Sequence, residues 1–264
     1  GGAPIVLNSI INCPEEDKKT FSHTVEIFTA GAPPAPTTLA AIEAMGFNVT
    51  QVYGLTETYG HVTECIWDEK WDDEPQEQKS KIKARQGVAF PMMEEITVLD
   101  EGQKEIPKDG KTLGEIVIRG NSVMKGYYKN PEATREAFSG GFFHSGDIAV
   151  MHDNNYIQIA DRAKDIIISG GENVSSVEVE GVLMGHPSVM LCAVVAKADE
   201  KWGEVPCAFV ELKEGLKVSE KELIAFARTQ LAGFKTPKYV FFEDLPKTST
   251  GKIQKFELRQ KTNS

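Results

Sequence analysis

Apolar residues near the start of the chain form short runs that differ in their spacing. The run VEIFTA, from Val25 to Ala30, is nearly continuous and ends at Gly31, which predicts a strand followed by a tight turn. Residues 36–45 instead carry apolar side chains at helical spacing, and residues 48–52 form a second short apolar run. Strand, turn, helix and strand in this order predict an α/β fold, here the end of a parallel sheet.

The stretch at residues 64–86 is highly charged. Pro75 is placed to open a helix that continues to Lys81. We interpret the stretch as a solvated surface insertion and assign it no chemistry.

Between Gly87 and Arg162 the apolar residues occur in short runs separated by Gly, Asp and Asn, which predicts a small β subdomain of barrel-like character. The predicted strands include residues 96–98, 116–118, 148–151 and 156–159. One helix interrupts them, with Asn130 as its N-cap and Pro131 in its first turn.

The pattern changes again beyond Lys164. Two helices are predicted from N-terminal capping signals, Ser175 with Glu178 and Ser219 with Glu222. Apolar strands are predicted near 189–196 and 205–212. We therefore predict two domains, residues 1–163 and a small α+β domain at residues 164–264.

Composition narrows the class of protein. The chain has 264 residues, and its 29 Lys+Arg against 39 Asp+Glu give a net charge of -10, which argues against broad contact with nucleic acid or an anionic membrane. Four cysteines without paired spacing predict neither a zinc site nor a disulfide framework, and favour a reducing compartment. No apolar run is long enough for a membrane span, and the start at Gly1 suggests a chain that is cut at its beginning.

Candidate chemistry first occurs where the two early strands end. Gly31, Ala32 and Pro33 form either a ligand-binding loop or a simple turn. The run Tyr53-Gly54-Leu55-Thr56-Glu57-Thr58 offers a flat ring for a purine, a hydroxyl for a phosphate oxygen and a carboxylate for magnesium. The alternative for Glu57 is an ordinary loop acid.

A second candidate group lies in the β region. Asp147, beside Gly146, is a carboxylate that could accept both hydroxyls of a ribose, or it could cap a turn. Arg162, at the end of another predicted strand, could supply a cation near that sugar or its phosphate. A surface ion pair of Arg162 with Asp161 or Asp165 is the alternative.

Two glycine-containing loops lie in the predicted second domain. The run from Pro246 to Ile253 resembles a Walker A loop only superficially, because Pro stands where its first Gly is needed and Ile where Ser or Thr is needed. We interpret it as a polar loop that presents Lys252 as a point charge, or else as an exposed tail loop. Ser169, Gly170 and Gly171 either permit close approach of a narrow ligand or form a turn before a helix.

Taken together, these motifs resemble the adenylate-forming acyl-CoA synthetases over essentially the whole chain. The matching motifs, in the family's order, are TAGAPP, YGLTET, GEIVIRG, MKGYYKNPEAT, GFFHSGDIAV, DRAKDIIISGGENVSSVEVE, DEKWGEVPCAFV and LPKTSTGKIQK. GFNVTQVYGLTETYG followed by KIKARQGV is similar to the plant-type acyl-activating branch, which favours short-chain or aromatic acids.

The resemblance implies a two-step reaction on a small carboxylic acid, with ATP, magnesium and coenzyme A as cofactors. The acid attacks the α-phosphate of ATP to give an acyl-adenylate and pyrophosphate, and the thiol of coenzyme A then displaces AMP. In the first domain, the residues implied to lie around the adenine and the acyl group are Gly31, Ala32, Pro33, Tyr53 and Gly54. Thr56 is implied to contact phosphate and Glu57 to hold magnesium. Asp147 and Arg162 are implied to bind the ribose. Lys252 is implied to neutralise charge during adenylation.

The resemblance also implies a mobile second domain with a hinge at Lys164. Ser169, Gly170 and Gly171 would then line the channel of the pantetheine arm. Trp202 and Phe234 are weaker candidates for the coenzyme A face, with core packing as the alternative for both.

Some of the family's features are missing or altered. Residues 1–30 contain nothing like its phosphate loop, which favours a second hypothesis, a catalytically inactive truncated or spliced fragment that acts as a binding or regulatory module. A luciferase-like oxidase is a third reading, which the Gly170-Gly171 channel disfavours. His61 stands where the plant-type branch often has Pro. The end Thr262-Asn263-Ser264 is not a peroxisomal tripeptide, so we expect a cytoplasmic location and leave a peroxisomal one open.

Overall fold

The chain folds into two compact units in the computed structural model, which describes residues 1–248 and 251–262. The first unit ends at Ala163 and the second begins at Lys164. Two residues of the predicted polar loop, Ser249 and Thr250, lie outside the described residues. Asn263 and Ser264, the last two residues of the C-terminal tripeptide, also lie outside the described residues.

The first sheet of unit 1 combines one parallel pair with antiparallel strands. Its helices are α1 (Pro4–Ile11), α2 (Pro36–Glu43) and α3 (Gln76–Lys83), and its strands are β1 (Val25–Thr29), β2 (Phe47–Leu55), β3 (Gly60–Glu64) and β4 (Val88–Ala89). The strand order is β1-β2-β3-β4, with β1 parallel to β2 and the other pairs antiparallel. The predicted α/β class is confirmed, and among the described strands of this sheet the parallel pair is β1 with β2.

A small apolar cluster holds the helices on this sheet. Leu7 of α1 packs with Leu39 and Ile42 of α2 and with Val49 of β2, and all four are nearly inaccessible to solvent. Leu39 and Ile42 are three residues apart and so lie on one helix face, as the helical spacing predicted. The helix α1 was not predicted.

The charged stretch at 64–86 is not simply a solvated insertion, and that prediction was wrong. Cys65, Trp71 and Ile82 are buried there and pack against Tyr156 of the β region. Tyr156 also donates a hydrogen bond to the carbonyl of Ile66. The charged residues surround a small core because only a few apolar side chains in the stretch point inward.

The second sheet of unit 1 is the predicted β subdomain. Its strands are β5 (Met93–Leu99), β6 (Gly114–Gly120), β7 (Phe143–Met151) and β8 (Ile157–Arg162), paired antiparallel in the order β5-β6-β7-β8, and α4 (Pro131–Ala137) interrupts them. The described pairings form an open path rather than a closed barrel. Asn130 caps α4 as predicted, since its side chain accepts a hydrogen bond from the backbone of Ala133.

Unit 2 is a five-stranded sheet with helices, in agreement with the predicted α+β fold. Its strands are β9 (Ile167–Ser169), β10 (Glu172–Val174), β11 (Val189–Asp199), β12 (Gly203–Leu212) and β13 (Tyr239–Phe242), and its helices are α5 (Ser176–Met184), α6 (Glu220–Arg228) and α7 (Lys255–Thr262). The order is β10-β9-β12-β11, with β13 parallel to β12. Both predicted caps are present, at Ser175 and Ser219.

Candidate functional site

Three of the candidate residues meet at one buried carboxylate. The hydroxyl of Tyr53 donates a 2.7 Å hydrogen bond to Oδ2 of Asp147. Nε of Arg162 lies 3.2 Å from Oδ1 of the same residue. The Asp147 side chain is 6% exposed and that of Arg162 is 40% exposed, so the guanidinium has a face left for a ligand. The arrangement is a fixed anionic acceptor beside an accessible cation.

Strand pairing places these residues together. Asp147 lies on β7 directly opposite Arg162 on β8. Asp147 lies within a strand and not at a turn, which was the alternative reading, and it is next to an irregularity at Gly146, whose φ of 72° suits glycine. Tyr53 was expected on a loop after a strand, yet it lies inside β2 with its ring in the core. Little of that ring is accessible to a purine.

Burial reinforces the protonated form of Tyr53. The loss of water around the ring, and then the negative charge of Asp147, raise the pKa of the Tyr53 hydroxyl well above its usual value of 10.0. Tyr53 is therefore a hydrogen-bond donor at any physiological pH. The hydrogen bond fixes the orientation of the Asp147 carboxylate.

The residues that follow Tyr53 form a tight reversal. A Cβ on Gly54 would lie 2.0 Å from the carbonyl oxygen of Gly60, so only glycine allows β2 and β3 to approach this closely. Thr56, Glu57 and Thr58 then form one 3-10 turn, in which Thr56 is exposed. This turn presents a hydroxyl and a carboxylate next to each other.

Glu57 has a partner that the sequence did not reveal. The hydroxyl of Tyr127 lies 3.2 Å from Oε1 of Glu57, and the backbone N–H of Met124 donates to the Glu57 carbonyl at 2.7 Å. Partial burial, and then the Glu57 carboxylate, raise the pKa of Tyr127. Tyr127 belongs to the motif MKGYYKNPEAT, but its distance along the chain from Glu57 hid the contact.

Gly31, Ala32 and Pro33 lie just beyond the end of β1. Because β1 and β2 are parallel and Thr29 is opposite Gln51, these residues and Tyr53 lie toward the same edge of the sheet. Gly31 has a φ of 91°, which suits glycine, and both Gly31 and Ala32 are exposed.

The glycine pair of unit 2 forms the tip of the β9–β10 hairpin. Ser169 is buried, while the N–H of Gly170 donates to the Trp202 carbonyl at 2.8 Å. A Cβ on Gly170 would lie 2.8 Å from Cε3 of Trp202, whereas a Cβ on Gly171 would meet nothing within 4 Å. The Trp202 ring therefore covers Gly170 and leaves Gly171 open.

Trp202 and Phe234 are not core residues, so the core-packing alternative was wrong for both. Their exposed fractions are 39% and 38%. Lysine side chains accompany the rings, with Nζ of Lys201 4.8 Å from the Trp202 centroid and Nζ of Lys235 6.0 Å from the Phe234 centroid. Aromatic faces beside cations can bind an anionic ligand with an apolar part.

Lys252 and Lys164 are both exposed. The backbone N–H of Lys252 donates to Oγ1 of Thr248 at 3.1 Å, and its carbonyl accepts from the N–H of Thr248 at 2.8 Å. Lys247 and Ile253 form an antiparallel bridge beside them. Lys164 lies in a turn where the second unit begins.

Metal-binding clusters and membrane-spanning helices are both absent from the described part of the chain. No group of three His, Cys, Asp or Glu side chains there could hold a metal ion. None of the helices among residues 1–248 and 251–262 combines the length and the apolar character that crossing a membrane requires.

Comparison with known proteins identifies relatives along the whole chain. The chain is 54% identical over 266 residues to an acetate/butyrate–CoA ligase of Arabidopsis thaliana, which is named as peroxisomal, and 50% identical over 266 residues to an acetate–CoA ligase of Humulus lupulus. Each alignment covers 98% of this chain and 47% of the relative. The chain thus spans about half the length of the curated relatives it matches.

A solved structure gives the same result. The fold matches an anthranilate CoA ligase in complex with anthranoyl-AMP with a TM-score of 0.86 and 26% identity, over 99% of this chain and 49% of that one. Residues 1–128 match the family model for the AMP-binding enzyme, and residues 178–252 match the one for the AMP-binding enzyme C-terminal domain. The chain therefore belongs to the AMP-binding enzymes.

Proposed function

We propose that the whole protein is an AMP-forming acid–CoA ligase. It would join a small carboxylic acid to AMP, releasing pyrophosphate, and then transfer the acyl group to the thiol of coenzyme A. The observation that carries the proposal is the buried Asp147 carboxylate, oriented by Tyr53 and flanked by Arg162. Membership of the AMP-binding enzymes supports the same reading.

Asp147 and Arg162 would bind the ribose of the nucleotide. A carboxylate can accept hydrogen bonds from both ribose hydroxyls, and its burial strengthens each bond. The accessible guanidinium of Arg162 would donate to sugar or phosphate oxygens. Tyr53 would act mainly by orienting the Asp147 carboxylate. Close approach of the adenine and the acyl group would be allowed by Gly31, Ala32, Pro33 and Gly54.

Thr56 and Glu57 would serve the phosphates. The Thr56 hydroxyl would donate to a phosphate oxygen, and Glu57 would hold magnesium. One carboxylate is enough for this role, because Mg²⁺ keeps several waters and takes further ligands from phosphate groups. The residues therefore fit a magnesium ion that enters with ATP, which supplies charge neutralisation at the phosphates.

Lys252 would neutralise the charge that develops between the acid and the α-phosphate in the first step. Its exposed position suits the role of a point charge. Ser169, Gly170 and Gly171 would line the channel for the pantetheine arm, with Trp202 and Phe234 at the coenzyme A face. Lys164 would be the hinge between the steps.

The substrate class would be a short-chain or aromatic acid. The name of the Arabidopsis relative, an acetate/butyrate–CoA ligase, favours the short-chain acids among these. We keep the cytoplasm as the proposed location, although that relative is named as peroxisomal.

The test is product analysis with the purified whole protein, given ATP, magnesium, coenzyme A and a panel of acetate, butyrate, isovalerate and benzoate. Acyl-CoA and AMP should appear together and in equal amounts. Formation of ADP in place of AMP would contradict the proposal. Nucleotide binding without turnover of any acid would instead support the binding-module hypothesis.

A further inference from the structure

The backbone beside Asp147 contains a β-bulge. Glu115 of β6 is opposite Ile148 of β7, whereas Val117 is opposite His144. A step of two residues along β6 therefore corresponds to a step of four residues along β7, which leaves two extra residues in β7. The extra residues break the ladder of backbone hydrogen bonds at Ser145 and Gly146. Their polar groups therefore need other partners.

Side chains supply those partners. Oε1 of Glu115 accepts a 2.8 Å hydrogen bond from the N–H of Gly146, and Oε2 lies 2.7 Å from Nδ1 of His144. Oγ of Ser145 donates to the carbonyl of Ile116 at 2.7 Å and accepts from the N–H of Asp147 at 3.1 Å. One carboxylate thus holds the bulge on both sides of Ser145.

Both ring nitrogens of His144 face oxygen acceptors. Nε2 lies 3.1 Å from the carbonyl oxygen of Ser139, which can only accept, so Nε2 carries a hydrogen. Nδ1 faces a carboxylate oxygen, so one more proton lies between Nδ1 and Oε2 of Glu115. With both ring nitrogens facing oxygen acceptors, the geometry suits an imidazolium–carboxylate ion pair with a charge-assisted hydrogen bond.

The bulge also leads directly to the candidate ribose site. The carbonyl of Gly146 accepts a 2.9 Å hydrogen bond from the N–H of Ala163, the residue that follows Arg162. Asp147, the next residue after the bulge, faces Arg162 across the β7–β8 ladder. A shift of the bulge would therefore move Asp147 relative to Arg162.

We propose that Glu115 and His144 are positioning residues, which hold the β7 bulge so that Asp147 faces the ribose. This assigns a role to the Glu of the motif GEIVIRG, and it rests on the proposed function in taking Asp147 as the ribose ligand. A purely structural role for Glu115 makes a different prediction, because it would affect the stability of the sheet without affecting nucleotide affinity.

Two substitutions at one position separate these roles. Glu115→Ala removes both hydrogen bonds. Glu115→Gln preserves both, because its amide oxygen can accept from Gly146 and its amide N–H can donate to Nδ1 of a neutral His144. Glu95→Gln is the matched control, since Glu95 lies on the neighbouring strand β5 and pairs with Arg119 at the surface.

The experiment combines three readouts on the whole chain at about pH 6. Calorimetry measures AMP affinity, amide exchange measures protection of the Gly146 N–H, and nitrogen-edited NMR detects the ring protons of His144. We expect both ring protons in the unsubstituted chain and only the Nε2 proton in Glu115→Gln. AMP affinity should fall about tenfold in Glu115→Ala and stay within about threefold in Glu115→Gln and in Glu95→Gln.

Each contrary outcome is informative. Unchanged AMP affinity with lost Gly146 protection in Glu115→Ala would overturn the positioning role and leave a structural one. A single ring proton in the unsubstituted chain would overturn the ion pair. If the unsubstituted chain binds no AMP while the protection and ring-proton results are as expected, the proposed function fails and the assignment of the bulge contacts survives.

Discussion

Tyr53 and Asp147 lie 94 residues apart in the chain, and the hydroxyl of one donates a 2.7 Å hydrogen bond to the carboxylate of the other. This contact joins the first sheet of unit 1 to its β subdomain. It also leaves the second carboxylate oxygen beside Arg162, at 3.2 Å from Nε. The orientation of the proposed ribose ligand therefore depends on a tyrosine that lies in the protein core.

Tyr53→Phe tests that dependence. The ring stays in the core, but the buried carboxylate loses a donor, and hydrogen bonds to charged groups contribute about 1.5–3 kcal/mol. We expect the free energy of unfolding, measured in urea, to fall by about 2 kcal/mol. Tyr239→Phe, at an exposed tyrosine, should change it little. Equal midpoints for the two variants would contradict a stabilising role of the Tyr53 hydroxyl.

Asp147→Asn tests the proposed ribose ligand. The amide keeps the shape of the side chain but loses the charge and one acceptor, so AMP affinity should fall about 10- to 100-fold. Calorimetric titration with AMP measures the change. Asp153→Asn, at an exposed position of the β7–β8 turn, is the control and should bind as before. If both variants bind AMP equally well, Asp147 is not the ligand.

Gly170→Ala tests the close approach of Trp202. The new Cβ would need the left-handed backbone at φ 62° and would lie 2.8 Å from the ring. Gly215→Ala requires a similar φ of 74° but meets no atom within 4 Å, so it isolates the backbone cost of about 1–2 kcal/mol. Gly170→Ala should therefore lower the free energy of unfolding more than Gly215→Ala does. Equal losses would show that Trp202 does not restrict Gly170.

Buried thiols predict a loss of stability at alkaline pH. Burial raises the pKa of Cys65 and of Cys207 from 9.0 to about 12. In the unfolded chain these thiols lose their protons near pH 9, so above that pH the folded state binds more protons than the unfolded state. The stabilising contribution is fully present below pH 9 and is lost as pH rises toward 12.

Urea unfolding at a series of pH values between about 7.5 and 10.5 measures this effect. The free energy of unfolding should decline above about pH 9, and replacing Cys65 and Cys207 by Ala should reduce the slope. A free energy that stays constant or rises over this range would contradict the assignment of buried, protonated thiols.

Local signals predicted much of the fold. The cap at Asn130 and the capping box of Ser219 with Glu222 are short-range patterns, and the structure contains both. Helix α1 was missed although Pro4 is its first residue, since its N-cap, Ala3, has no capping side chain. Strand β3 was missed because it is only five residues long and follows the turn directly. The small core around Trp71 was missed because a few inward-pointing apolar residues are hidden among charged ones.

The candidate site was predicted residue by residue but not as an arrangement. The sequence indicated Tyr53, Asp147 and Arg162 separately, whereas their meeting depends on how two sheets pack. The partner of Glu57, Tyr127, is 70 residues away and had no signal of its own. Long-range contacts of this kind follow from tertiary packing, which spacing along the chain does not encode.

Acid-dependent exchange of pyrophosphate into ATP is the most direct test of the central claim, since it reports adenylate formation without coenzyme A. The whole protein and its Lys252→Ala variant would be compared with acetate, butyrate, isovalerate and benzoate, with Lys213→Ala as a control at another lysine of the second unit. We predict exchange with at least one acid, a loss of about 10²- to 10³-fold in Lys252→Ala, and no loss in the control. Exchange that is absent with every acid, or that is unaffected by Lys252→Ala, would contradict the account.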